Sequence, residues 1–467
     1  MQHLRNGRSR HVSALAQVAC LSGVSLWIAL LTPAVLHAQN DENATTAAPA
    51  GIQVRSLSVF GVYYSNGAPV NGGIPVGGSN FSSDYGFGGS AEFDWTRFTE
   101  RSSFSMTYTP SYSGRVRYSS LDALNHSFSL NASHHLAPRW NFRVSAAAVV
   151  STLEQSLFAP TTLSTVAALP TTFQDLSAGL LQSQFNTNPQ LGSLLTAAVP
   201  EQSPLNTLLY GQRMLSASAG TSLSYSYSPR LSLTFDVGGG RTQPLSDSGS
   251  SIGAGSLALE TTTGHAGLSL AYSYSPRTQI TAMVTTSRTA SGLFDDYTTT
   301  TLVSIGRTFA QRWILQVHGG AGVAIPVREV GIPSSVTPFP SGGASLTYKT
   351  TANTFMASYD HTETAAYGLG ASTTSTASAT WRWRMPGRTW WIDSTFGYQQ
   401  LQGNSLGNTT GWRSTTGFNQ ALNPHLSLRA EYAYLKYSGG FISAIDNLAQ
   451  SAVRFSLIWS PLANAVR

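Results

Sequence analysis

The chain has 467 residues, of which only 10% are charged and 10% aromatic, and its mean hydropathy is −0.05. Lys and Arg number 27 against 21 Asp and Glu, a net charge of +6, but no basic run tracks a phosphate backbone, which excludes nucleic acid as a partner. Sparse charge with abundant Gly, Ser and Thr argues for alternating strands over helices, and beyond the leader no stretch reaches 18 consecutive apolar residues, which excludes helical membrane spans.

In chain order, Arg5, Arg8 and Arg10 precede an apolar run containing "LWIALL" (Leu26–Leu31), and "AVLHA" closes it at Ala38. Residues 1–38 therefore read as a secretory signal peptide, followed by a flexible polar segment at 39–52. The single cysteine, Cys20, lies inside that leader, so the mature chain is expected to hold no disulfide, thiol nucleophile or thiolate metal site.

From about Val54 a strand-like pattern begins, and hairpins repeat from there to the end. "LSYSYSPRLSLTFDV" (Leu223–Val237) alternates apolar and polar residues, breaks at Ser-Pro-Arg, and alternates again. "LAYSYSPRTQITAMV" (Leu270–Val284) repeats it. His134–Val149, Gly306–Gly320, Trp381–Phe396 and Phe418–Tyr437 have the same form, a strand running through a turn of two to four residues into the next strand, and Thr347–Asp360 and Phe93–Tyr108 are weaker copies. Pro pre-sets φ and lacks the donor a ladder would use, so it suits such turns. The opposite connections are longer and rich in Gly, Ser and Asn: Ser65–Ser83, Arg241–Ser256, Arg328–Gly342 and Gly403–Thr410. Eight hairpins with one strand before (about Val54–Tyr64) and one after (about Ser451–Ser460) make 18 strands; 16 is the competing count. The expected fold is all-β: a single up-and-down antiparallel transmembrane β-barrel over residues 53–461, with short periplasmic turns, long extracellular loops and a tail at 462–467.

Alternation assigns the faces. Leu426, Leu428, Ala430, Tyr432 and Tyr434 oppose Ser427, Arg429, Glu431 and Ala433; Val453, Phe455, Leu457 and Trp459 oppose Arg454 and Ser456. A lipid-facing charge costs roughly 2–4 kcal/mol at the bilayer midplane, so the polar set is expected to face the lumen. The expected lumen-lining residues are Glu92, Asp94, Arg143, Asp236, His318, Lys349, Asp360, Arg382, Arg384, Asp393, Arg413, Arg429, Glu431 and Arg454. Neither sign dominates, whereas a strong ion filter needs a ring of one sign. Trp95, Trp140, Tyr227, Tyr274, Phe309, Trp313, Trp383, Trp390 and Trp459 all fall near a tight turn or the terminus, and are expected to form an aromatic girdle at the periplasmic interface.

The connection of about 60 residues at 153–212 is too long to be idle. Phe173, Leu176 and Leu180 share one helical face in it, as do Leu191, Leu194 and Leu195. It is expected either to fold into the pore as a constriction or to cap the surface.

On this repeated hairpin pattern the chain resembles bacterial outer-membrane β-barrels from about Gln53 to Pro461. "SSLDALNHSFSLNASHHLAPRWNFRVSAA" (Ser119–Ala147) resembles barrel proteins of Acidobacteria-type genomes, some grouped with exopolysaccharide loci. The resemblance implies the cell outer membrane, with its lipids and the barrel-assembly machinery as partners, although Trp459 is followed by "SPLANAVR" where such barrels usually end on the aromatic residue. Two functions follow as expectations: a porin-like passive channel for small hydrophilic solutes or an export pore for polysaccharide, or a structural or adhesive barrel whose lumen is closed by loops. The ten histidines are scattered, no nucleophile, base and acid assemble by spacing, and no cofactor, metal site or enzyme activity is expected.

Overall fold

The computed structural model describes residues 51–67, 82–117, 122–152, 213–245, 260–291, 294–310, 312–329, 336–365, 371–403, 407–438 and 448–461. The leader, most of the segment 39–52, the connection 153–212 and the tail 462–467 lie outside the described residues.

Eighteen strands follow one another: β1 Gly51–Gly67, β2 Ser82–Phe98, β3 Ser102–Arg115, β4 Ala123–Ala137, β5 Trp140–Thr152, β6 Arg213–Ser228, β7 Leu231–Leu245, β8 Thr261–Ser275, β9 Thr278–Ser291, β10 Phe294–Phe309, β11 Trp313–Glu329, β12 Thr337–Lys349, β13 Asn353–Ala365, β14 Ala371–Arg384, β15 Trp390–Gly403, β16 Gly407–Ala421, β17 Leu426–Ser438 and β18 Leu448–Trp459. Each pairs antiparallel with its chain neighbours, and β1 also pairs with β18, from Leu57↔Trp459 to Tyr64↔Ala452. The sheet is therefore closed, and every strand has two neighbours.

The turns obey local chemistry. In both Ser-Pro-Arg turns the serine hydroxyl accepts the N–H of the arginine two residues on: Arg230 N to Ser228 Oγ and Arg277 N to Ser275 Oγ, each 3.2 Å. Gly387, in the five-residue turn between β14 and β15, has φ +72°, a backbone that a side chain at Cβ disfavours. Successive turns are tied together around the rim. The carbonyl of the last turn residue accepts an N–H from the next hairpin: Arg101 from His135, Arg139 from Ser226, Arg230 from Ser273, Arg277 from Thr308 and Arg312 from Lys349.

The two faces separate sharply. Phe235, Leu428 and Trp313 are 49%, 41% and 38% exposed, while Gln316 and Arg429, on the opposite face, are 4% and 2% exposed. Large apolar side chains thus cover the convex outside, and polar groups converge on the concave inside. A water-soluble barrel would invert this arrangement. The exterior is that of a membrane-spanning barrel of the outer-membrane type.

Several boundaries differ from the sequence reading. Strands run 12 to 17 residues, longer than a bilayer requires; tilted near 40° they rise roughly 30–43 Å against an apolar band of about 25 Å. β1 begins at Gly51 and continues to Gly67, β7 continues through Arg241 to Leu245, and β12 starts at Thr337, so Gly342 is in a strand. The long-loop rule also fails in places. Only residues 292–293 separate β9 from β10, and only 404–406 separate β15 from β16. Thr and Ser runs there alternate poorly and look like loop, yet they continue the ladder because hydroxyl side chains tolerate either wall face.

Replacing Phe235 with Arg is expected to destabilise the barrel by roughly 2–4 kcal/mol, the cost of a charge at mid-bilayer depth. Thr234→Arg, one residue away on the inner face, is expected to cost less than half of that. Urea unfolding in phosphatidylcholine vesicles, followed by tryptophan fluorescence, checks the difference.

Candidate functional site: the inner wall

The period of two along each strand decides which side chains share the inner wall. All fourteen charged or histidine positions expected in the lumen sit on that face by register. Arg143 pairs with Ser222, Asp236 with Gly267, Lys349 with Thr354 and Arg384 with Trp391. Glu92 and Asp94 meet Arg55, Asp360 meets His318, and Arg413 is two residues before Thr415 on the inner side of β16.

Part of this set forms one transverse row. Thr354, Arg382, Asp393, Gly417, Glu431, Arg454, Val62, Gly86 and Arg115 are successive cross-strand partners from β13 through the seam to β3. Arg429 lies beside this row and binds it together. Its Nη2 donates to Asp393 Oδ2 at 2.9 Å and to Glu431 Oε2 at 2.6 Å, its Nε donates to Glu431 Oε2 at 2.9 Å, and its Nη1 donates to Asn419 Oδ1 at 3.2 Å. Asn419 Nδ2 donates to Asp393 Oδ1. Gly417 makes this possible: a Cβ there would stand 2.8 Å from Arg429 Nη2 and 3.2 Å from Asp393 Oδ2. A guanidinium presents several donors in a rigid plane and can satisfy two carboxylates at once, which a lysine cannot.

Three smaller clusters lie near the seam. Arg115 pairs with Asp84 at 3.3 Å and lies 3.5 Å over the Tyr64 ring. Arg454 lies 4.5 Å over the Phe60 ring, beside a small apolar group of Val62, Tyr64, Ala433, Leu435 and Ala452. Arg55 joins Asp94 at 2.7 Å and Glu92 at 3.7 Å.

The inner wall is sorted by sector. Strands β14–β18 carry Arg382, Arg384, Arg413, Arg429 and Arg454 against Asp393 and Glu431. Strands β7–β13 carry Asp236, Asp296 and Asp360 against Lys349, with His265 and His318 beside the aspartates. His318 Nε2 is 3.4 Å from Asp360 Oδ1, and His265 Nε2 is 4.0 Å from Asp236 Oδ2. Within the second sector, β11 and β12 carry a strip of mostly uncharged polar groups. Gln316 Oε1, His318 Nδ1, Ser341 Oγ, Ser345 Oγ and Thr347 Oγ1 are buried and have no hydrogen-bond partner among the described residues.

Arg55, Asp84, Arg115, His265 and Asp296 belong to this wall and escaped the sequence reading. Arg55 sits at a register shift between Val54 and Ser56, where parity breaks. Asp84 adjoins a stretch that reads as loop. His265 and Asp296 were legible by parity alone, because each alternates with outward residues of its own strand.

The expected girdle residues all lie at the tight-turn end, and further rings join them: Trp140 with Tyr225 at 4.6 Å, Trp313 with Tyr348 at 4.3 Å, Trp95 with Phe104 at 4.8 Å and Trp390 with Phe418 at 5.8 Å between centroids. A second group, which the turn-centred reading did not anticipate, occupies the loop-end half of the outer face: Tyr63 with Tyr85 at 5.3 Å and Tyr398 with Trp412 at 4.5 Å.

No family model and no curated protein matches the chain. Among solved structures it is similar to OccAB4 of Acinetobacter baumannii (10% identity, TM-score 0.40, 87% of this chain and 97% of that one). It is also similar to OpdK of Pseudomonas aeruginosa, solved with vanillate (10%, 0.41, 87% and 97%), and to a BenF-like porin of Pseudomonas fluorescens Pf-5 (9%, 0.41, 88% and 98%). Likeness of this degree carries no functional argument, and the closed barrel stands on its own register.

Arg429→Met is expected to cost about 3–5 kcal/mol, because it leaves Asp393 and Glu431 buried without their cation. The triple variant R429M/D393N/E431Q is expected to recover most of the loss. Denaturant midpoints of the two variants in the same vesicles test the pairing.

Proposed function

We propose that the chain forms a non-enzymatic channel through which small hydrophilic solutes cross the outer membrane passively. One observation carries this reading: a closed sheet of 18 strands turns polar and charged side chains such as Gln316, Arg429 and Arg454 to its concave face and large apolar ones outward. Eighteen strands enclose a backbone circle roughly 36 Å across, more than wall side chains alone fill. The basic sector on β14–β18 and the aspartates on β7–β13 set up a lateral field that orients a dipolar solute in transit. No observation favours polysaccharide export.

A second reading has its own support. Inner-wall residues such as Thr347, Ser345 and Asn419 are almost wholly withdrawn from solvent. This favours a narrow or closed lumen and hence a structural barrel. Planar-bilayer recording separates the two. A steady open current is expected, and the double variant R382E/R454E is expected to shift the reversal potential in a KCl gradient toward cation preference. Electrical silence of the folded protein would leave the structural reading.

A further inference from the structure

The tight turns carry a charge pattern that the channel does not use. Arg101, Arg139, Arg230, Arg277 and Arg312 each stand at the last turn position, immediately before the next strand, in five consecutive turns from β2 to β11. All five are exposed, and no ion pair engages any of them among the described residues. The only acid in those turns is Glu100. Arg97 and Arg307 lie just inside the strand ends of the same arc, and Arg307 sits 5.1 Å from the Phe309 ring centroid. Among the described residues the loop end lacks this bias: there Asp84, Asp122, Glu260 and Asp295 accompany Arg115, Arg117, Arg241 and Arg288.

The backbone holds the five arginines in a fixed arc. Each one's carbonyl is bonded to the following hairpin, so neighbouring guanidinium stems are spaced by one hairpin width, roughly 13 Å along the rim of a tilted barrel. Four of them also lie within three residues of an exposed, outward-facing apolar or aromatic side chain: Leu136 beside Arg139, Tyr227 beside Arg230, Tyr274 beside Arg277 and Phe309 beside Arg312. These four side chains continue the lipid-facing exterior down to the rim. A cation beside an apolar anchor, repeated along a membrane boundary, matches a layer in which phosphates lie just outside acyl chains. A soluble acidic partner would account for the arginines and leave the apolar neighbours without a role.

We infer that this arc is a binding surface for the phosphates of anionic phospholipids in the leaflet at the tight-turn end. Guanidinium groups grip phosphate oxygens through paired N–H donors, and the adjacent rings and aliphatic side chains rest against the acyl boundary. The inference is independent of whether the lumen conducts.

Tryptophan quenching tests it, since Trp95, Trp140 and Trp313 lie beside the arc. The full chain is reconstituted in phosphatidylcholine vesicles containing 30% brominated phosphatidylglycerol or, separately, 30% brominated phosphatidylcholine. The wild type is expected to prefer phosphatidylglycerol about fivefold, less in high salt. R139Q/R230Q/R277Q/R312Q is expected to fall to near parity, and the matching Lys variant to keep most of the preference. Heat-shifted gel migration confirms folding of each. Equal quenching by the two lipids in the wild type, or an undiminished preference in the Gln variant, overturns the inference. So does a result in which poly-glutamate, and not phosphatidylglycerol, binds the wild type and is lost in the Gln variant.

Discussion

A backbone that crosses hydrocarbon has no water to bond, so each peptide N–H and C=O must find its partner within the protein. Here that demand is met only because β1 pairs with β18, across the seam Leu57↔Trp459 to Tyr64↔Ala452. The rest of the molecule follows from it. Once the sheet closes, its two faces are no longer equivalent: one is convex and meets lipid, the other is concave and meets what fills the centre. The alternation of apolar and polar residues then has only one workable assignment, and Phe455 and Arg454 separate to opposite environments though they are adjacent in the chain.

Much of this was visible without coordinates, because the signal repeats. Leu428 and Arg429, or Phe235 and Asp236, declare opposite faces by parity, and the Ser-Pro-Arg breaks mark where strands reverse. Parity fails where the ladder slips. Arg55 stands at such a slip, and its pairing with Asp94 could not be read from its position. Strand ends were equally hard to place, because Thr- and Gly-rich tips such as Thr261–Gly264 at the start of β8 carry little amphipathic contrast and resemble loop.

The inner-wall network lay further out of reach. Asp393 and Arg429 are 36 residues apart, and nothing local marks them as partners. Their meeting depends on register across three strands and on Gly417 leaving room over the sheet. Sequence reasoning could place each charge on the concave face. It could not say that one arginine would hold two carboxylates, nor that Arg382 and Arg454 would flank them in a single row.

The seam between the first and last strands also governs how the wall comes into being. Any partial stack of these hairpins has two raw edges, one at each outermost strand. No partial product can seal itself, because the partner of Tyr63 is Val453, some 390 residues later in the chain. Closure thus requires the two ends of the chain together, and any sheet that lacks β18 is a curved ribbon whose two open margins are free to pair with another copy.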